Sequence, residues 1–96
     1  MSDEAYTLSL APSARRVLVE GPPQGLPLAV AAAVTEFLTG PLLDNPRRVG
    51  KPLTRELSGY HSARRGAYRV IYRIDETERI VHVVRIDHRA DVYRTG

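Results

Sequence analysis

The chain has no cysteine, which excludes disulfides and thiolate metal sites and fits a cytoplasmic protein. No apolar run approaches the roughly 20 residues that a membrane helix needs, so no membrane partner is expected. The acidic start, Met1-Ser2-Asp3-Glu4, is not followed by a long apolar stretch and does not read as a signal peptide. Glycine-rich nucleotide motifs are absent. Three dispersed histidines without a carboxylate cluster make a poor metal site, so neither a metal nor an organic cofactor is expected. There is no internal repeat and no low-complexity segment. Hydrophobic residues make up 43% of the chain, enough to exclude wholesale disorder. At 96 residues the chain is expected to form a single domain, residues 1–96, with one core.

Lysine is also scarce: thirteen of the fourteen basic residues are arginine. The net charge of +3 is modest, but its distribution is uneven. Between positions 47 and 73 stand Arg47, Arg48, Lys51, Arg55, Arg64, Arg65, Arg69 and Arg73, against one acid, Glu56. The planar guanidinium fork matches phosphate oxygens and stays charged near neutral pH. A genome-wide preference for arginine explains the residue type but not the clustering. The cluster points to a polyanion-binding surface.

Residues 6–10 alternate apolar with polar and predict a first strand. Pro12 suits the first turn of a helix whose apolar stripe is Ala14, Val17 and Leu18, ended by Gly21-Pro22-Pro23-Gln24-Gly25. Pro27 opens a second helix through Ala31, Val34, Phe37 and Leu38, stopped by Gly40-Pro41. Residues 42–59, with Pro46, Gly50 and Pro52, read as largely irregular. Three strands follow: 60–65, 68–75 and 79–86, the second rich in β-branched and aromatic residues. The expected fold class is α+β, in the order β-α-α-β-β-β. Its small, mostly antiparallel sheet would have two helices packed on one face.

A two-residue turn at Gly66-Ala67 would set Arg65 opposite Tyr68 and Arg64 opposite Arg69. Parity then places Tyr60, Ser62, Arg64, Arg69, Ile71 and Arg73 on one face. His61, Ala63, Val70, Tyr72 and Ile74 take the other, under the helices. Like charges in register destabilise a sheet. Either the two arginines splay into water or an anion normally sits between them. His82, among valines, reads as a core residue, and His61 as structural.

Several segments together resemble the RelE/ParE toxin superfamily, and its RelE-type members most. They are Leu57-Ser58-Gly59, then Arg64, then Gly66-Ala67-Tyr68-Arg69-Val70-Ile71-Tyr72-Arg73-Ile74-Asp75, and finally His88-Arg89-Ala90-Asp91-Val92-Tyr93-Arg94. The Gly-x-Tyr-Arg strand and the late His-Arg-x-x-x-Tyr are the most specific marks. Gly50-Lys51-Pro52-Leu53 is also similar to the YoeB branch. The resemblance covers nearly the whole chain and implies a RelE-like fold.

The resemblance implies a toxin of a type II toxin–antitoxin system, a ribonuclease that cuts mRNA in the ribosomal A site. In that reaction the ribose 2′-hydroxyl attacks the adjacent phosphate, without a metal. The family's strand arginine falls on Arg69, its C-terminal tyrosine on Tyr93 and its late arginine on Arg89. Arg64 and Arg69 suit neutralisation of the phosphorane, and Tyr93 suits stacking on a base or helping the 2′-hydroxyl lose its proton. Imidazole is the side chain suited to proton transfer near neutral pH, so His88 is either the acid or base or a loop histidine with a structural role. Arg47, Arg48, Lys51, Arg55, Tyr60, Ser62, Arg65 and Arg73 are the expected contacts to RNA or ribosome. Tyr60 and Ser62 stand where one branch has lysines, and Lys51 where the YoeB branch has its glutamate base. No residue therefore matches either branch's general base. A RelB-like antitoxin is the implied partner, with operator DNA bound only through that complex. A ParE-like gyrase inhibitor and a non-catalytic RNA- or ribosome-binding module are the alternatives.

Overall fold

Five strands, rather than the expected four, form one sheet in the computed structural model, which describes residues 6–22 and 25–88. The chain runs β1 (Thr7–Leu10), α1 (Pro12–Glu20), α2 (Leu28–Thr39), α3 (Pro41–Asp44), β2 (Lys51–Pro52), a 3-10 turn (Arg55–Leu57), β3 (Tyr60–Arg65), β4 (Tyr68–Asp75) and β5 (Ile80–His88). The spatial order is β1-β5-β4-β3-β2. All neighbours pair antiparallel except β1, which runs parallel to β5. The class is α+β, as expected.

Two elements were not expected. Pro41 does stop α2, but it also sits in the first turn of α3, where its missing N–H costs nothing. Strand β2 is only two residues long and contains a proline. Pro52 is tolerated because β2 is an edge strand, where an absent N–H breaks no ladder. Strand β5 also runs two residues further than expected and takes in His88.

Helix α1 starts at Pro12 and α2 directly follows Pro27, and the two lie on one side of the sheet. Ala14 of α1 and Val34, Phe37 and Leu38 of α2 are buried against Val70, Tyr72, Val81, Val83 and Ile86 of the strands. The Ser13 hydroxyl donates to the Val84 carbonyl of β5 (3.4 Å), which ties the start of α1 to the sheet. Phe37 meets Tyr68 at 6.5 Å between ring centroids. Each such aliphatic or aromatic side chain contributes about 1.5–3 kcal/mol when fully buried.

The β2 loop is held by Tyr72. Its side chain is wholly buried, and its hydroxyl donates to the Pro46 carbonyl at 2.6 Å. Gly50 passes so close that a β-carbon there would collide with the Tyr72 hydroxyl. That contact fixes where β2 begins, and so where Lys51 emerges. Among the described residues, no helix is long and apolar enough to cross a membrane.

Candidate functional site

The helices cover one face of the sheet and leave the other open. Successive strand residues alternate between the two. In β4, Tyr68, Val70 and Tyr72 are buried, whereas Arg69 and Ile71 are half-buried and Arg73 is exposed. The β3–β4 hairpin closes through Gly66 at φ 55, the sign that a tight two-residue turn favours. Arg64 therefore pairs with Arg69, Ser62 with Ile71 and Tyr60 with Arg73. Lys51 of β2 pairs with Ser62 and joins the same open face.

A β-bulge completes this face from β5. Tyr72 pairs with Val83, but Ile71 pairs with Arg85, so Val84 is passed over. The extra residue reverses the parity of everything beyond it. Ile86 turns into the core, while Arg85 and Asp87 turn out beside β4. The row across the sheet at that level is Arg64, Arg69, Asp87.

The Asp87 carboxylate joins two arginines. One oxygen accepts from Arg85 Nε at 2.8 Å, and the other lies 3.5 Å from Arg69 Nη2. The Asp87 side chain is 16% exposed and that of Arg69 40%, so this pair lies in the open face and not beneath the helices. The Nε of Arg69 is buried without a hydrogen-bond partner. Among the described residues, Arg64 has no carboxylate partner. Two guanidinium groups thus stand side by side, one tethered and one free. Their mutual repulsion is relieved when an anion binds between them.

Several expected contacts lie elsewhere. Arg65 has the opposite parity to Arg64. Its guanidinium sits 4.7 Å over the Phe37 ring, and its Nη1 donates to the Arg64 carbonyl. Arg47 is engaged by Glu76, at 2.8 Å from Nε and 2.6 Å from Nη2. Hydrogen bonds from Tyr6 and Arg47 hold the Glu76 carboxyl below the usual carboxylate range. Arg48 and Arg55 are exposed on the segment around β2, with Arg55 at a left-handed φ of 61.

The histidines divide differently from expectation. His61 is structural: it stacks on Tyr72 at 5.5 Å, and burial, followed by the charge of Arg47, pushes its pKa down. His82 is half-buried rather than in the core. Its parity places it on the open face, in register with Arg73 and Ser9. His88 is in a strand, not a loop, and pairs with Tyr68, which gives it the parity of the helix-covered face. The register therefore does not bring His88 together with Arg64 and Arg69. Arg89 and Tyr93 lie outside the described residues.

Sequence reading missed Arg85 and Asp87. Uninterrupted alternation from Val81 and Val83 assigns both to the covered face. The available signal was the paired Val83-Val84 followed by an apolar residue at Ile86, an offset that only a bulge reconciles. Among the described residues, no group of three histidines and carboxylates is placed to hold a metal ion. The face as built can bind phosphates through Arg64, Arg69, Arg73, Arg85 and Lys51, with Tyr60 available for stacking.

Comparison with known proteins adds four relationships. The family model described as the ParE toxin of type II toxin–antitoxin systems matches residues 14–93. Toxin RelG of Mycobacterium tuberculosis is 52% identical over 89 residues, which is 93% of this chain and 97% of the relative. Toxin RelE of the same organism is 47% identical over 92 residues, 96% of this chain and 90% of the relative. Among solved structures, a chain of the toxin–antitoxin complex RelBE2 from Mycobacterium tuberculosis superposes with a TM-score of 0.80. It is 49% identical in sequence, and the match covers 88% of this chain and 99% of that one.

Proposed function

The chain belongs to the ParE toxin family of type II toxin–antitoxin systems, and we propose that within it the protein is a RelE-type toxin, an endoribonuclease that cleaves mRNA in the ribosomal A site. The observation that carries this reading is the register of Arg64 with Arg69 on a face the helices leave open. Transphosphorylation places extra negative charge on a crowded phosphorane. Fixed donors aimed at that charge contribute on the order of 3 kcal/mol each. Arg69 is held by Asp87 and needs little reorganisation, while Arg64 is free to close on the phosphate. Arg89 and Tyr93 are assigned to the same reaction by their place in the family motif.

The ribosome enters as the substrate's holder. A phosphodiester whose 2′-oxygen already lies in line gains roughly 7–11 kcal/mol from positioning alone. The protein then supplies charge and proton transfer to a linkage that is already bent. Lys51, Arg73 and Arg85 flank the central row and suit the neighbouring phosphates. An antitoxin silences the toxin by covering the same face with a segment rich in acidic residues. The structurally similar RelBE2 toxin chain was solved in a toxin–antitoxin complex.

The test is 5′-end mapping of ribosome-bound mRNA from cells expressing the wild type or Arg69→Ala. The wild type should leave new ends at A-site codons, and the variant should lose them by about 10²–10³-fold. DNA breaks in place of RNA ends would move the protein to the gyrase-directed members of the superfamily. Efficient cutting of naked mRNA would contradict the role given to the ribosome.

A further inference from the structure

The open face as described holds the charges for this reaction but lacks an obvious base. Guanidinium groups cannot serve, because their pKa exceeds about 12. His61 is stacked on Tyr72, and both it and His88 carry the parity of the covered face. His82 is on the open face but pairs with Arg73, four positions along β4 from Arg69, or ~13 Å at the rise of a strand.

Asp87 lies in the right place. It is in register with Arg69, which is in register with Arg64. Its two oxygens offer roughly four lone-pair sites. Arg85 takes a site on one oxygen, and Arg69 approaches the other at 3.5 Å. The remaining lone pairs can accept from a hydroxyl. The flanking arginines fix the carboxylate in place, with its remaining lone pairs turned to the open face.

We propose that Asp87 is the general base of the cleavage, taking the proton of the ribose 2′-hydroxyl beside the phosphate that Arg64 and Arg69 bind. This rests on the nuclease reading above. The 2′-oxygen gives its proton to an Asp87 oxygen and forms a bond to phosphorus. The bond from phosphorus to the 5′-oxygen breaks with its electron pair on that oxygen. The leaving oxygen takes a proton from water, and the hydroxide so formed removes the proton from Asp87. A 2′,3′-cyclic phosphate and a 5′-hydroxyl result. Arg85 is then a positioning residue, holding the carboxylate against rotation.

The experiment is single-turnover cleavage on mRNA-programmed ribosomes at neutral pH, with wild type, Asp87→Asn and Asp87→Glu, and with Asp87→Ala in the absence and presence of added formate. Asp87→Asn should lose about 10²–10⁴-fold in rate, while binding to ribosomes stays within about threefold. Asp87→Glu, which keeps the carboxylate, should cut faster than Asp87→Asn, and formate should restore part of the rate to Asp87→Ala. If Asp87→Asn cuts within about fivefold of wild type, Asp87 is not the base and the nuclease reading stands. A wild type that cuts nothing removes both. Should Asp87→Asn fail to fold, the wild type still decides: its rate should fall in heavy water because a proton moves in the step, and a rate unchanged there overturns the proposal.

Discussion

Arg64 and Arg65 are adjacent in sequence, yet they serve different parts of the molecule. Arg64 stands on the open face beside Arg69, whereas Arg65 lies over the Phe37 ring. Arg64→Ala should weaken RNA binding and leave the unfolding midpoint nearly unchanged. Arg65→Ala should do the reverse, costing about 0.5–1 kcal/mol of stability through the lost cation–π contact. Urea unfolding and an RNA titration on both variants check this, and equal binding losses would contradict the assignment of faces. Tyr72 gives a second residue-scale expectation. Removing its hydroxyl leaves the buried Pro46 carbonyl without its donor, so Tyr72→Phe should cost about 1–3 kcal/mol. Burial also pushes the Tyr72 pKa from the ordinary tyrosine value of 10.0 up to about 12. The hydroxyl's contribution is complete below pH 10 and is lost as the pH rises toward 12, because the unfolded chain ionises first. Base denaturation over that window should be less steep in Tyr72→Phe.

The elements carry the site through register, and register was only partly legible. The β3–β4 pairing followed from Gly66-Ala67, since a two-residue turn leaves one alignment. Arg64 opposite Arg69 was readable for that reason. Strand β2 was not, because two residues with a proline carry no periodicity. Nor was the far half of β5, where Val84 is skipped and the faces exchange. His88 was read as a loop residue because the apolar pattern ends at Ile86, and His82 was assigned to the core from its valine neighbours, although simple alternation sets it on the face opposite Val81 and Val83. Arg47 looked available only because the Glu76 that holds it lies a turn away in space and far off in sequence. Deletion of Val84 tests the bulge. Without Val84 the pairs Tyr72–Val83 and Ile71–Arg85 become consecutive, so the ladder turns regular, Ile86 stays in the core and Asp87 stays on the open face. A folded variant that keeps both its melting temperature and its RNA binding is the expected result. A deletion variant that loses its core packing and its RNA binding together would show that Val84 is not the residue that sets the phase of the two faces.

At the scale of the whole molecule, a chain with a formal net charge of +3 gathers five of its fourteen basic residues on one sheet face. The helices take one side of the sheet and leave Lys51, Arg64, Arg69, Arg73 and Arg85 on the other. Such a face attracts a polyanion before any specific contact forms. Four phosphate contacts on a single strand imply a slope of about −3 in log K against log salt. Arg64→Ala should reduce that slope by about 0.7, as one counterion fewer is released. An acidic antitoxin segment would compete for the same surface, so toxin–antitoxin affinity and RNA affinity should weaken together in this variant.

The central claim is that Arg64 and Arg69 act on one phosphate. A double-mutant cycle on programmed ribosomes measures it: single-turnover cleavage by wild type, Arg64→Ala, Arg69→Ala and the double variant. Each single change should cost about 10²-fold or more, and the double should cost clearly less than their product, because two groups bound to one phosphate are coupled. Strictly multiplicative losses, or an Arg69→Ala protein that cuts at the wild-type rate, would contradict it.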